Sequence, residues 1–154
     1  MKPVVTLRDA RREEVAAIVA MLADDMLGGT RDQVADPLPD AYYKAFDAIA
    51  ASRDNCLLIA ELDGEVVGTL QLTFIPGLSK GGATKMLVEA VRVASARRGT
   101  GIGRQIMAAA IALARARHCK SVELTSHQRR IDAHRFYEQL GFAASHVGMK
   151  LALE

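Results

Sequence analysis

Arg98-Gly99-Thr100-Gly101-Ile102-Gly103 puts three glycines at alternate positions where an apolar strand pattern gives way to a helical one. Glycine permits backbone angles that other residues avoid and lets the main chain come close to a ligand. The first N–H groups of the following helix lack partners inside it, and that end of its dipole is positive. Such a turn suits a phosphate or pyrophosphate, with Arg98 and Arg104 adding charge-assisted contacts. A plain strand-to-helix corner is the other reading of the same glycines. Two better-known phosphate loops do not fit: Gly101-Ile102-Gly103-Arg104-Gln105-Ile106 lacks the third glycine of the dinucleotide fingerprint, and no Gly-Lys is followed by Ser or Thr.

The elements that must hold this turn can be read from periodicity. Val4 to Leu7 is a short β-rich run. Val15, Ile18, Val19 and Leu22 recur at helical spacing, with Asp9 as the expected N-cap. After Gly28-Gly29-Thr30 and a loop from Val34 to Pro39, Asp40 opens a second helix carrying Tyr43, Phe46 and Ile49. Asn55 to Leu62 and Glu65 to Phe74 read as strands joined by an Asp63-Gly64 hairpin. A Gly-rich loop follows from Ile75 to Gly82. Ala83 to Val93 is a strand with Leu87, Glu89, Val91 and Val93 on one face and Val88, Ala90 and Arg92 on the other. Arg104 to His118 is a long helix, Ser121 to Thr125 a strand, and Asp132 to Leu140 a helix stopped by Gly141. Phe142 to Leu153 closes with strand character. The order β-α-α-β-β-β-α-β-α-β predicts an α/β (α+β) chain with a mainly antiparallel middle, and residues 1–154 read as one domain.

Composition narrows the function classes. The 154 residues are 50% apolar and 25% charged, with 20 basic against 18 acidic side chains. Interspersed charges of both signs give no electrostatic case for nucleic acid. No apolar run approaches a membrane span, and none at the start resembles a secretory signal. With two cysteines, Cys56 in an apolar run, the chain reads as a cytoplasmic protein with reduced thiols. No histidine–carboxylate cluster has metal-ligand spacing, so no metal is expected.

Val93 to Gly103 resembles the acetyl-CoA signature of the GNAT (GCN5-related N-acetyltransferase) superfamily. Arg98, Gly101 and Gly103 match its pattern of Gln or Arg, two residues, Gly, one residue, then Gly or Ala. Ala133-His134-Arg135-Phe136-Tyr137-Glu138-Gln139-Leu140-Gly141-Phe142 is similar to the second GNAT signature. The resemblance implies a mixed, mainly antiparallel sheet of about six or seven strands with about four helices. It also implies acetyl-CoA as co-substrate. Val91, Arg92 and Val93 would meet the pantetheine arm, Val93 or a neighbour giving an N–H to the carbonyl oxygen. Arg98, Gly99, Thr100, Gly101, Ile102, Gly103 and Arg104 would hold the pyrophosphate, with Arg130, Ala133, Phe136 and Tyr137 also on the coenzyme.

Acetyl transfer to an amine needs a base, because an alkyl ammonium titrates near 10. Glu89 is the candidate base, tuned by burial; the other reading pairs it with Arg92 or Lys85. Tyr137 is the candidate acid for the departing sulfur, or else a core aromatic beside Phe136. Arg130 stands where the family often has Asn. The segment from Thr125 to Tyr137 resembles a GNAT subgroup that includes aminoalkylphosphonate acetyltransferases; its arginines suit an anion or are simply solvated. His127 is a further candidate base or anion ligand. The acceptor cleft is expected to draw on Asp24, Asp25, Met26, Tyr42, Tyr43, Phe74 and Ile75. The expected acceptor is a primary amine, of a small molecule or of a peptide or protein. A non-catalytic acyl-CoA-binding regulatory module is the alternative from another class. A homodimer is expected from the resemblance.

Overall fold

Four consecutive buried residues, from Val67 to Leu70, mark a strand covered on both faces, and this strand forms the middle of the sheet. The computed structural model describes residues 3–25 and 27–154, in two compact units divided after residue 123. The first unit holds β1 (Thr6–Asp9), α1 (Val15–Ala23), α2 (Asp40–Ala51), β2 (Asn55–Leu62), β3 (Glu65–Pro76), α3 (Ser79–Gly82), β4 (Thr84–Val93) and α4 (Ile102–Ala116). β5 (Ser121–Leu124) ends at the division, and the second unit holds α5 (Ile131–Gln139). The sheet order is β1-β2-β3-β4-β5, and the first three pairings are antiparallel.

The expected six or seven strands are corrected to five among the described residues. The missing one is the closing strand: residues 142–154 form neither strand nor helix. The Gly-rich loop adds a fifth helix to the expected four, a single turn in which Lys80 and Gly81 take left-handed angles.

α4 buries Ile102, Ile106, Met107, Ala110 and Ala114, a stripe of helical spacing, against the sheet. It lies on the face carrying Gly68: a Cβ added there would stand 2.6 Å from Ile106 Cδ1 and 2.6 Å from the carbonyl oxygen of Arg92. The opposite face is closed by α1, which packs on β3 and β4. There Thr69, 1% exposed, donates its hydroxyl to Leu58 O at 2.8 Å, so the one buried polar side chain among the described residues is satisfied. Val15, Val19 and Leu38 make a second cluster, capped by Tyr42, Tyr43 and Phe46 of α2. Arg8 ties β1 to its surroundings, donating to Glu61 at 2.8 Å and to both oxygens of Glu14 at 2.9 and 3.0 Å.

Candidate functional site

β4 does not keep the plain alternation expected of it. Gln71 pairs with Glu89 and Thr69 with Arg92, so Ala90 and Val91 stand opposite Leu70 alone. Ala90 makes this bulge by adopting φ 52, unusual for a residue with a Cβ. The inserted residue shifts the phase, so Arg92 falls on the face of Glu89 instead of the opposite one.

Arg92 and Asp25 form an ion pair at 3.0 Å, with side chains 15% and 16% exposed. The same guanidinium donates to Val91 O at 3.0 Å. Asp25 also accepts from the backbone N–H of Leu27 at 2.8 Å and from that of Gly28. Arg98 reaches the same loop: it donates to Asp24 O at 2.7 Å and to Val93 O at 3.3 Å. Asp24 and Asp25, expected in the acceptor cleft as ligands for a cation, are therefore engaged by the chain's own arginines. Met26 lies outside the described residues.

Two of the three glycines of the turn take angles that other residues avoid. Gly99 and Gly101 take φ 74 and 86, and a Cβ on either would meet nothing within 4 Å. These glycines answer a conformational need and not a steric one. Gly101 caps α4 in left-handed geometry with no side-chain hydrogen bond to the helix. The helix thus starts with N–H groups that neither its own turns nor a capping side chain satisfies, which fits an anionic ligand. Thr100 and Arg97 close the approach to the turn, the threonine hydroxyl donating to Arg97 O and Arg97 pairing with Glu65. Arg104 is exposed on the first turn of α4.

Glu89 is exposed, contrary to the burial expected of it. Its two expected partners are taken elsewhere: Lys85 pairs with Glu123 at 2.7 Å and Arg92 with Asp25. Phe74 is corrected as well. It is 4% exposed and lies under the Arg117 guanidinium at 4.0 Å, on the α4 face, because even-numbered positions of β3 point that way. Tyr42 donates to Asp32 at 3.0 Å, and Tyr43 sits under Arg12 at 4.8 Å.

In the second unit α5 carries Ala133, Phe136 and Tyr137, with Arg130 at its N-cap. Tyr137 is half-buried between two rings, edge-on to Phe136 at 5.1 Å and to Phe142 at 5.8 Å. His127 accepts the Arg129 N–H on Nδ1 at 3.1 Å, which puts the proton of its neutral ring on Nε2. His134 donates from Nε2 to His127 O at 3.0 Å. Both rings thus brace the loop before α5, which weakens His127 as a base. The first unit brings together Glu89, Val91 to Val93 and the turn from Arg98 to Arg104, whereas Arg130, Ala133, Phe136 and Tyr137 belong to the second. Sequence reasoning missed Asp25 as a clamp and Gly68 as a close-approach position; a glycine inside an apolar strand was the available signal for the latter.

Residues 16–142 match the Acetyltransferase (GNAT) family. The chain is 30% identical to the aminoalkylphosphonate N-acetyltransferase of Salmonella typhimurium (strain LT2) over 151 residues, 98% of this chain and 93% of that protein. It is 32% identical to the glucosamine 6-phosphate N-acetyltransferase of Trypanosoma brucei brucei over 90 residues, 58% of this chain but only 59% of that protein. Its fold also superposes, with a TM-score of 0.92 and 45% identity, on the structure of a transcriptional regulator from Bacillus halodurans C-125, covering 97% of this chain and 99% of the other. The chain belongs to the GNAT family: it is an acetyl-CoA-dependent N-acetyltransferase. No described helix is long and apolar enough to cross a membrane.

Proposed function

We propose that this chain acetylates the primary amine of a small molecule that also carries a phosphonate or phosphate group. The observation that carries this reading is the similarity to the aminoalkylphosphonate N-acetyltransferase along 98% of the chain. Arg129, before α5, is of the type that recognises such an anion. The family match runs through both units, which supports one transferase domain over residues 1–154.

Acetyl-CoA supplies an acetyl group activated as a thioester. The backbone N–H groups from Gly99 to Arg104 hold its pyrophosphate, helped by the positive end of α4. Val91 to Val93 align the pantetheine arm, and the Val93 N–H steadies the carbonyl oxygen as charge builds on it. Arg130, Ala133 and Phe136 complete the coenzyme contacts. Glu89, exposed and free of any ion pair among the described residues, takes the amine proton through water. The amine nitrogen then bonds to the acetyl carbon, the carbon–sulfur bond breaks as Tyr137 gives its proton to the sulfur, and the second proton leaving the nitrogen returns through water to the Tyr137 phenolate, so that a neutral amide and free coenzyme A result. The enzyme works in the cytoplasm as a homodimer.

A thiol-release assay with acetyl-CoA tests this across aminoalkylphosphonates, amino-sugar phosphates, uncharged amines and peptides. Turnover with the first two classes at least tenfold above the others is expected; peptide turnover alone overturns the substrate class. A second reading, an acyl-CoA-binding regulatory module, is favoured by the 45% identity to a transcriptional regulator. It gains if coenzyme A binds by calorimetry yet no acceptor is turned over.

A further inference from the structure

Two guanidinium groups flank the end of β4, and both lead to the same pair of residues. Arg92 donates to Val91 O at 3.0 Å and pairs with Asp25 at 3.0 Å. Arg98 repeats the pattern: its Nε donates to Val93 O at 3.3 Å and its Nη2 to Asp24 O at 2.7 Å. Each arginine thus takes one carbonyl oxygen of β4 and one of two consecutive aspartates at the end of α1. Nε and Nη2 form one edge of a rigid plane, so a single flat group fixes the separation of Val93 from Asp24. Both acceptors suit it. Asp24 is the C-cap of α1, where a helix leaves carbonyls without partners and the negative end of its dipole favours a cation. With Gly68 opposite Val93, it is Ala94 that donates across to Val67 O, so the N–H and C=O of Val93 both point away from β3.

We propose that Arg98 is a positioning residue for the acceptor amine: it fixes the end of α1 beside Val93, so that coenzyme in the turn stiffens the wall the amine meets. This inference rests on the reading of the turn and of Val93 as coenzyme contacts. In that reading the amine has to reach the carbon whose oxygen the Val93 N–H receives. Arg98 fastens the end of α1 to that same residue, and Arg92 does so two residues earlier, at Val91. Arg98 is also the first residue of the turn. Holding the turn still therefore removes freedom from Arg98 and from the aspartate it grips. The result is a coupling in which coenzyme and amine each bind more tightly when the other is present. This edge of the guanidinium, whose charge alone suits a pyrophosphate, is directed at α1 instead.

Arg98→Lys and Arg98→Ala test the proposal, because lysine keeps the charge but offers one nitrogen in place of a flat pair. Kinetics with acetyl-CoA and aminoethylphosphonate, and calorimetry with coenzyme A, compare both variants with the wild type. Each is expected to raise the amine KM about tenfold, with the loss in KM rather than kcat and the coenzyme A Kd moving less than about threefold. An amine KM that Arg98→Lys leaves at the wild-type value overturns the bridge. So does a coenzyme A Kd raised about tenfold in Arg98→Ala with the amine KM unchanged, which makes Arg98 a pyrophosphate ligand. Hydrogen exchange decides without turnover. Coenzyme A is expected to slow exchange at amides 99–104 in all three proteins, but at amides 24 and 25 in the wild type alone. Slowing at 99–104 without slowing at 24 and 25 of the wild type overturns this inference and leaves the turn standing. No slowing in either place overturns the coenzyme reading of the turn and this inference with it.

Discussion

Asp25 holds Arg92 at 3.0 Å through one carboxylate oxygen and, through the other, the backbone N–H of Leu27 at 2.8 Å. One side chain therefore fastens the loop after α1 to the strand whose end leads into the glycine turn. Asp25→Ala leaves a largely buried guanidinium without this partner and is expected to cost about 2–3 kcal/mol, lowering Tm by roughly 5–10 °C. Asp25→Asn keeps an oxygen for Leu27 and should recover part of that loss. Equal melting of wild type and Asp25→Ala would dismiss the clamp.

The turn separates two kinds of glycine. Gly101 sits at φ 86, where an alanine costs about 1–2 kcal/mol of backbone strain. Gly103 lies within α4 and has no positive φ. Titration calorimetry should show coenzyme A binding about tenfold weaker in Gly101→Ala but within about threefold of wild type in Gly103→Ala. Matching affinities for the two variants would argue against the turn as the pyrophosphate site.

Tyr137→Phe keeps both ring contacts, with Phe136 and Phe142, and removes only the hydroxyl. With Tyr137 as the acid, kcat falls about 100-fold while the coenzyme dissociation constant stays within twofold. Undiminished thiol release would reassign the ring to packing.

With Glu89 as base, Glu89→Gln lowers kcat/KM about 100-fold at neutral pH. The deficit should shrink as pH rises toward 10, where solvent itself delivers the uncharged amine. A loss that is the same at every pH points instead to a structural role.

Glu14 links charge to stability. The Arg8 guanidinium, by hydrogen bonding, holds its carboxyl below the usual glutamate range; partial burial opposes this, and the Arg11 N–H adds to it. A carboxyl lowered in the folded state stabilises fully above its unfolded value near 4.3 and ceases to as pH falls through the folded value. Urea midpoints of wild type and Glu14→Gln should differ at pH 7 and converge by about pH 3. A gap that is unchanged between those pH values would contradict the linkage.

Much of the fold is legible in the sequence where one pattern dominates. The α4 stripe and the hairpin at Asp63-Gly64 follow from local periodicity and turn chemistry, and the glycine turn from the conformations only glycine adopts easily. What escaped reading depends on contacts distant in sequence. The bulge at Ala90 exists because Leu70 faces two residues of β4, and nothing near Ala90 announces it. Phe74 reads as a cleft residue because strand position alone does not say which helix lies over which face. Glu89 reads as buried because exposure depends on what the helices leave uncovered. The alternation from Val147 to Leu153 reads as a strand, yet none forms there, because a pattern names a face and not its partner.

Gly68 gives the molecule a gauge. With only a hydrogen at that position, Ile106 can rest on the strand, and the start of α4 is set by that contact four residues away. A methyl there, 2.6 Å from both Ile106 Cδ1 and Arg92 O, would have to wedge the helix outward or push the strand aside. Either movement carries the start of α4 away from the bulge at Ala90. The spacing between the proposed pyrophosphate turn and the proposed pantetheine strand is thus calibrated by an atom the protein leaves out.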